Sequence, residues 1–153
     1  GYMPGRFSLY QDLSVEENLQ VFASIFNTTI EENYHLVKDI YQQIEPFKTR
    51  RAGALSGGMK QKLALSCALI HKPVVLFLDE PTTGISAEQK EVLFGTMRKL
   101  AQEEGKTLIL VSHDRYFLSD LFEKVYEFKD QNVKEYLGGI NDFLSKRRLG
   151  SLQ

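Results

Sequence analysis

The sequence predicts an α/β fold built around a parallel sheet. A continuously apolar run, Val74 to Leu78, stops at two carboxylates, and this pattern is typical of a strand buried on both faces of a parallel sheet. A helical pattern from about Ser86 to Glu104 follows, closed by Gly105, and Thr107 to Val111 reads as the next apolar strand. The order strand, helix, strand is that of a parallel crossover unit.

Three helices are predicted before the first of these strands. Two capping boxes mark helix starts, Ser14 with Glu17 and Thr29 with Glu32. The apolar periodicity then predicts one helix from about residue 15 to 26 and a second that ends before Pro46. Ser56 caps a third helix, whose first turn contains two glycines. These helices are expected to form a layer beside the sheet.

The C-terminal part predicts a short helix, a hairpin and a final amphipathic helix. The short helix spans Asp114 to Phe122, and the final helix spans Ile140 to Arg148. Between them, Val125 to Phe128 and Val133 to Leu137 flank a polar turn and read as the two strands of a hairpin. At the other end, the residues after Gly1 resemble the tail of a strand.

Composition limits the class of protein. The 153 residues are 42% hydrophobic and 25% charged, which suits one globular domain or part of a larger one. A formal charge of -1 gives no general attraction to nucleic acid, so no specific DNA binding is expected. The single cysteine, Cys67, lies in an apolar run and predicts a buried thiol. Without a membrane-length apolar stretch or a leader the chain is predicted to be cytoplasmic, and its start at Gly1 is typical of a fragment.

Polar residues follow the two predicted parallel strands where ligands bind to α/β sheets. Asp79 and Glu80 end the first strand and His113 follows the second, so all three are expected on one rim of the sheet. An aspartate there can hold Mg²⁺, a glutamate can activate water, and a histidine can donate to a phosphate oxygen. Each residue alone more often ends a strand or starts a helix. Their joint arrangement favours a nucleotide site.

A second element of the same site is the sequence Ser56-Gly57-Gly58 at a predicted helix start. Glycines there let backbone N–H groups approach a phosphate, and the helix dipole favours its negative charge. On its own this triplet is often only a turn and a cap. It becomes specific when an apolar strand ending in Asp79 and Glu80 follows it.

These motifs together resemble the nucleotide-binding domain of ABC ATPases, over essentially the whole chain. Leu55 to Gln61 matches the signature motif of that family, with Met59 in place of the commoner glutamine. Val74 to Asp79 matches its Walker B strand. The resemblance implies that Glu80 is the catalytic carboxylate and that His113 is the switch histidine.

The resemblance also implies ATP and Mg²⁺ as cofactors of an ABC-type ATPase with a partial P-loop NTPase fold. Asp79 would hold the metal. Ser56, Gly57 and Gly58 would reach the γ-phosphate of ATP held on a second nucleotide-binding domain, in a homodimer or a heterodimer. Hydrolysis in this family takes place at that dimer interface.

The expected division of the single partial domain, residues 1–153, follows the same family. Residues from about 8 to 72 would form the helical subdomain with the signature motif, which in transporters contacts the membrane-spanning subunits. Residues 73–128 would form the Walker B core with the switch histidine, and residues 129–153 the C-terminal hairpin and helix. The chain would then work at the cytoplasmic face of a membrane through a partner subunit.

The sequence departs from the family pattern at several positions. The phosphate-loop pattern G-x-x-x-x-G-K-S/T has no full match in the sequence. Residues 105–107 match its last three positions, but Leu100 stands in place of the first glycine, and a strand follows instead of a helix. Residues 105–107 are therefore predicted to be a helix stop. The aromatic residue that stacks on adenine is missing as well. Gly5 stands where the family has a glutamine, and Ser86 stands where it has an aspartate. The isolated chain is therefore expected to show little ATPase activity.

Three functions remain open. Residues 1–84 resemble multidrug-type exporters, which favours the energy-coupling subunit of a transporter. Residues 88–150 resemble the F class of ABC ATPases, soluble proteins that act at the ribosome, and the apparent join near Ser86 suggests a hybrid or truncated reading frame. The third alternative is a non-catalytic domain that only lends its signature motif to a partner ATPase.

Overall fold

The computed structural model describes residues 1–4, 9–114 and 122–150. The chain divides into two compact units, Gly1–Val111 and Ser112–Gln153. The first unit contains helices and a three-stranded parallel sheet, which confirms the predicted α/β class. Within the described ranges, none of the helices is long and apolar enough to span a membrane.

Four α-helices lie in the described part of the first unit, and the first three begin at the predicted caps. They are α1 (Val15–Ile25), α2 (Ile30–Tyr41), α3 (Gly57–Leu69) and α4 (Ala87–Arg98). Both predicted capping boxes are formed, and Ser86 with Gln89 forms a third at the start of α4. Helix α2 ends before Pro46, as predicted, and a separate turn of 3₁₀ helix, Glu45–Phe47, contains the proline.

Helix α4 continues into a π-helical turn and then stops at a glycine. The turn spans Lys99–Glu103, and Gly105 follows with a φ of 63°. The backbone N–H of Lys106 donates to the Leu100 carbonyl, six residues back, at 3.0 Å, and this bond closes the end of the π-helical turn. The side-chain amine of Lys106 donates to the Pro73 carbonyl at 2.9 Å. Residues 105–107 are therefore a helix stop, as predicted.

The parallel sheet has the order β1, β2, β3. Its strands are β1 (Tyr2–Met3), β2 (Val75–Asp79) and β3 (Thr107–Val111). Both pairs are parallel, and Asp79 lies opposite Val111 in the register of β2 and β3. The short β1 confirms the expected strand tail near the start of the chain.

The core of the first unit surrounds α3 and one face of the sheet. Most residues of α3 are buried, and α3 contacts α1, α2 and β1. On β2, Leu76 and Leu78 are fully buried. Cys67 is 2% exposed, and burial raises the pKa of its thiol. The predicted buried thiol is confirmed.

The prediction that β2 is buried on both faces was wrong. Side chains alternate along a strand, so Val75 points away from the face that carries Leu76 and Leu78. Val75 is 45% exposed, and the apolar residues Ile109 and Val111 of β3 are 45% and 46% exposed. Among the described residues, the packed helices cover only one face of the sheet.

The second unit contains the predicted hairpin and terminal helix. Strands β4 (Lys124–Lys129) and β5 (Asn132–Leu137) pair antiparallel around two turn residues with positive φ, and α5 spans Ile140–Gly150. The rings of Tyr136 on β5 and Phe143 on α5 meet edge to face, with centroids 4.8 Å apart. Of the short helix predicted from Asp114 to Phe122, residues 115–121 lie outside the described part.

We predict that Cys67 reacts with thiol reagents only when the chain unfolds. Burial removes it from solvent and disfavours the thiolate, which is the reactive form. A chromogenic disulfide at about pH 8 should react at least about a hundredfold more slowly with the native chain than with the chain in denaturant. Because Cys67 is the single cysteine of the sequence, the whole absorbance change reports on this residue. Rapid stoichiometric reaction of the native chain would contradict the described core.

We expect Leu78→Ala to lower the free energy of unfolding by about 2–5 kcal/mol, since it leaves a cavity where a fully buried side chain was. The matched control is Val74→Ala, one residue before β2. Val74 is 74% exposed, so its truncation should change stability by less than about 0.5 kcal/mol. Denaturant unfolding of both variants measures the difference. Equal losses of unfolding free energy in the two variants would contradict the described difference in burial between Leu78 and Val74.

Candidate nucleotide site

The two carboxylates lie at the carboxyl end of β2. Asp79 is the last residue of the strand and Glu80 follows it, both half-buried. The backbone N–H of Glu80 donates to the Val111 carbonyl at 2.7 Å, which fixes the start of the turn to the end of β3. Ligands bind to parallel sheets at this edge. The structure therefore places both acidic residues at the carboxyl edge of the parallel sheet.

His113 follows the end of β3 by two residues and belongs to the second unit. Its placement in a common site with Asp79 and Glu80 remains a prediction from the order of the strands.

Glu80 has an unusual backbone conformation. Its φ is 48°, in the left-handed region that residues other than glycine rarely adopt. The turn continues through Pro81 and closes where the N–H of Thr83 donates to the Glu80 carbonyl at 3.2 Å. Such conformations cost about 1–3 kcal/mol and cluster at active sites. The strained position coincides with the residue predicted to be the catalytic carboxylate.

The start of α3 is open to solvent at two of the three predicted phosphate-binding residues. The Ser56 hydroxyl caps the helix by accepting a hydrogen bond from the N–H of Met59 at 3.3 Å. Ser56 and Gly57 are exposed, whereas Gly58 is buried. The free N–H groups of a helix start and the positive end of its dipole favour an anion. The first turn of α3 can thus present a hydroxyl and backbone donors to a phosphate.

The two glycines also have a structural role, which the sequence alone did not reveal. A Cβ on Gly57 would lie 2.7 Å from the carbonyl oxygen of Gly84, and a Cβ on Gly58 would collide with the side chain of Gln89. Gly84 has a φ of 75° and lies in the loop between β2 and α4. The signature motif therefore packs directly against the segment that follows Glu80.

Gln61 is a further residue of this region that sequence reasoning missed. It is 3% exposed, and its Nε2 donates to the carbonyl oxygen of Pro81. An uncharged polar side chain in the buried part of a helix is the signal that could have identified it.

Asp79 fits the chemistry of a magnesium site. Magnesium prefers oxygen ligands and, beside nucleotides, takes one or two carboxylates together with phosphate oxygens and water. In the described part of the chain, no group of three or more acidic, histidine or cysteine side chains converges on a metal position. The role of Asp79 as a magnesium ligand stays a prediction.

Comparison with known proteins identifies the family. Residues 1–83, more than half of the 153, match the family model described as ABC transporter. A probable multidrug ABC transporter ATP-binding protein of Escherichia coli (strain K12), YbhF, is 43% identical over 105 residues, which cover 67% of this chain and 18% of that protein. A probable branched-chain amino acid transport ATP-binding protein of Archaeoglobus fulgidus, LivF, is 30% identical over 99% of this chain and 64% of its own length.

The solved structures agree. An ATP-binding cassette described as a dimer in a post-hydrolysis state, bound to ADP and Pi, superimposes with a TM-score of 0.76 at 27% identity, covering 90% of this chain and 62% of the cassette. The fold and the motifs at the end of β2 and the start of α3 thus define an ABC-type ATPase domain. The chain belongs to the ABC transporter family, as the motifs predicted. It spans less than two thirds of the length of these relatives.

We predict opposite effects for alanine at two helix glycines. Gly57→Ala should lower the free energy of unfolding by about 1–3 kcal/mol, because the new methyl group meets the backbone of Gly84. Gly95→Ala is the control. Gly95 is exposed within α4 with nothing near its Cβ position, so alanine there should raise stability by about 0.5–1 kcal/mol. Thermal or denaturant unfolding measures both, and stabilisation by both changes would contradict the close packing at Gly57.

Proposed function

We propose that this chain is part of the energy-coupling ATP-binding domain of an ABC exporter. The observation that carries the proposal is the pairing of an open, serine-capped start of α3 with a carboxylate turn at the carboxyl end of β2. The multidrug relative of Escherichia coli supports the exporter branch. The domain would work at the cytoplasmic face of a membrane, attached through membrane-spanning partner subunits.

The proposed roles follow from the chemistry of each group. Asp79 holds Mg²⁺, and the adjacent Glu80 orients or deprotonates the attacking water. His113 donates a hydrogen bond to the terminal phosphate. Ser56 and Gly58, with the glycine between them, complete an ATP site on a second domain, so hydrolysis requires a homodimer or a heterodimer. Mg²⁺, when bound, neutralises the charge that develops on the phosphates.

A ribosome-associated function of the F class is the second candidate. Its support is the sequence of residues 112–144, which lie in the second unit and include the hairpin and the first turn of α5. A second ATPase domain in the parent gene would favour it, whereas membrane-spanning segments encoded nearby would favour the exporter. A domain that only lends its signature motif would dimerise with an intact ATPase without binding nucleotide itself.

The Archaeoglobus fulgidus relative bears on the hybrid hypothesis. It aligns with 152 residues of this chain, across the apparent join near Ser86. Mapping both halves onto one uninterrupted gene with a phosphate loop upstream would remove that hypothesis.

We predict that the 153 residues alone hydrolyse ATP little or not at all, because they contain no phosphate-loop sequence to position the nucleotide. Joined behind the phosphate-loop segment of a complete relative, the chain should gain Mg²⁺-dependent turnover. Glu80→Gln should then lower kcat by about a hundredfold or more, as expected when a general base is lost.

The control in the joined protein is Ser66→Ala. Ser66 is buried in α3, and its hydroxyl donates to the Lys62 carbonyl at 2.8 Å, away from the carboxylates. Release of phosphate is measured for the isolated chain and the joined protein, each with and without Glu80→Gln, and for the Ser66→Ala control. Turnover by the isolated chain that disappears with Glu80→Gln would contradict the predicted inactivity of the isolated chain. Turnover of the joined protein that survives Glu80→Gln would contradict the proposed role of this carboxylate.

A further inference from the structure

We propose that Gln61 is a positioning residue, whose buried amide ties the start of α3 to the turn that carries Glu80. The inference rests on the proposed function, since it matters for catalysis only if Ser56, Gly58 and Glu80 all serve nucleotides. Its structural content can be tested without nucleotide.

The geometry of Gln61 links two segments that are distant in sequence. Gln61 lies three residues after Gly58, so both residues lie on the same side of α3. Its Nε2 donates to the Pro81 carbonyl, twenty residues further along the chain, and lies 4.0 Å from the sulfur of Met3 on β1. A single amide therefore joins the signature helix, the edge of the sheet and the carboxylate turn.

The choice of glutamine at this buried position is informative. Gln61 is 3% exposed, and its Oε1 has no hydrogen-bond partner among the described residues. A buried acceptor without a partner destabilises the folded state, so leucine would be the easier residue here. The hydrogen bond that the Gln61 amide does make is the donation from Nε2 to the Pro81 carbonyl. We infer that donation to this carbonyl is what requires glutamine.

That donation reaches the turn from α3. The turn is also held by the Glu80 N–H on the Val111 carbonyl and by the Thr83 N–H on the Glu80 carbonyl, which belong to the sheet and to the turn itself. With the Gly57 backbone packed against Gly84, Gln61 makes the start of α3 and the carboxylate turn one connected body.

This connection has a consequence under the proposed function. The signature residues of one domain contact the ATP held by its partner, whereas Glu80 acts on the ATP of its own domain. A shift of the start of α3 on contact with phosphate would move the Pro81 carbonyl and with it Glu80. Gln61 would thereby couple the two nucleotide sites of a dimer.

The test compares amide hydrogen exchange, measured by NMR, in the native chain and in Gln61→Leu. Loss of the donor should speed exchange at Thr83, within the turn, by about tenfold, the factor given by about one hydrogen bond. Exchange at Asn18, in α1, should change less than about twofold. The matched control, Ser66→Ala, removes a buried hydrogen bond of the same helix and should leave Thr83 unchanged.

Gln61→Glu distinguishes the effect of the lost hydrogen-bond donor from the effect of a changed side-chain shape. A buried carboxyl has a raised pKa, so at about pH 5 a protonated side chain can donate its O–H to the Pro81 carbonyl. At about pH 8 the carboxylate cannot donate. The measured quantity is the exchange rate at Thr83 in Gln61→Glu divided by that in the native chain at the same pH. This ratio should be about 1 at the lower pH and about 10 at the higher one. If Gln61→Leu does not fold, Gln61→Glu still tests whether donation to the Pro81 carbonyl protects Thr83 from exchange.

Two results would overturn the inference. One is unchanged exchange at Thr83 in Gln61→Leu, or acceleration equal to that in Ser66→Ala. The other is a Gln61→Glu chain whose exchange ratio at Thr83 does not depend on pH. None of these measurements contains nucleotide, so either result would leave the proposed ATPase function unaffected. Failure of the ATPase test would likewise leave the hydrogen bond between Gln61 and Pro81 unaffected.

Discussion

The burial of α3 is the constraint on which the first unit depends. This helix contacts α1, α2 and β1, and nearly all of its residues from Leu63 onward are buried. Burial on several sides holds the helix in one position, because each displaced side chain would leave a cavity. The exception is the first turn, where Ser56 and Gly57 remain exposed. A rigid helix with one open end is well suited to present donors to a phosphate.

The same rigidity explains why the site residues are small or strained. Gly57 has no room for a side chain against Gly84, and Glu80 adopts a left-handed φ between the end of β2 and the turn. These local costs are offset by the core around α3 and by the hydrogen bond from the Glu80 N–H to the Val111 carbonyl. The result is a carboxylate turn and an exposed helix start that support each other.

Much of this unit could be predicted from local sequence signals. Capping boxes located α1 and α2, Ser56 located α3, and an apolar run ending at Asp79 located β2, because caps and strand ends depend on neighbouring residues. Contacts between distant segments could not be read in this way. The donation from Gln61 to the Pro81 carbonyl arises only after α3 packs beside the sheet. Exposure of one face of β2 likewise depends on what the packed helices cover, which hydrophobicity alone does not reveal.

The most direct test of the account is a structure of this chain bound to a complete ABC ATPase domain that holds ATP and cannot hydrolyse it. The account predicts the Ser56 hydroxyl and the N–H of Gly58 within hydrogen-bonding distance of the terminal phosphate on the partner domain. A complex in which the start of α3 faces solvent, with the phosphate contacted by other residues of this chain, would contradict it.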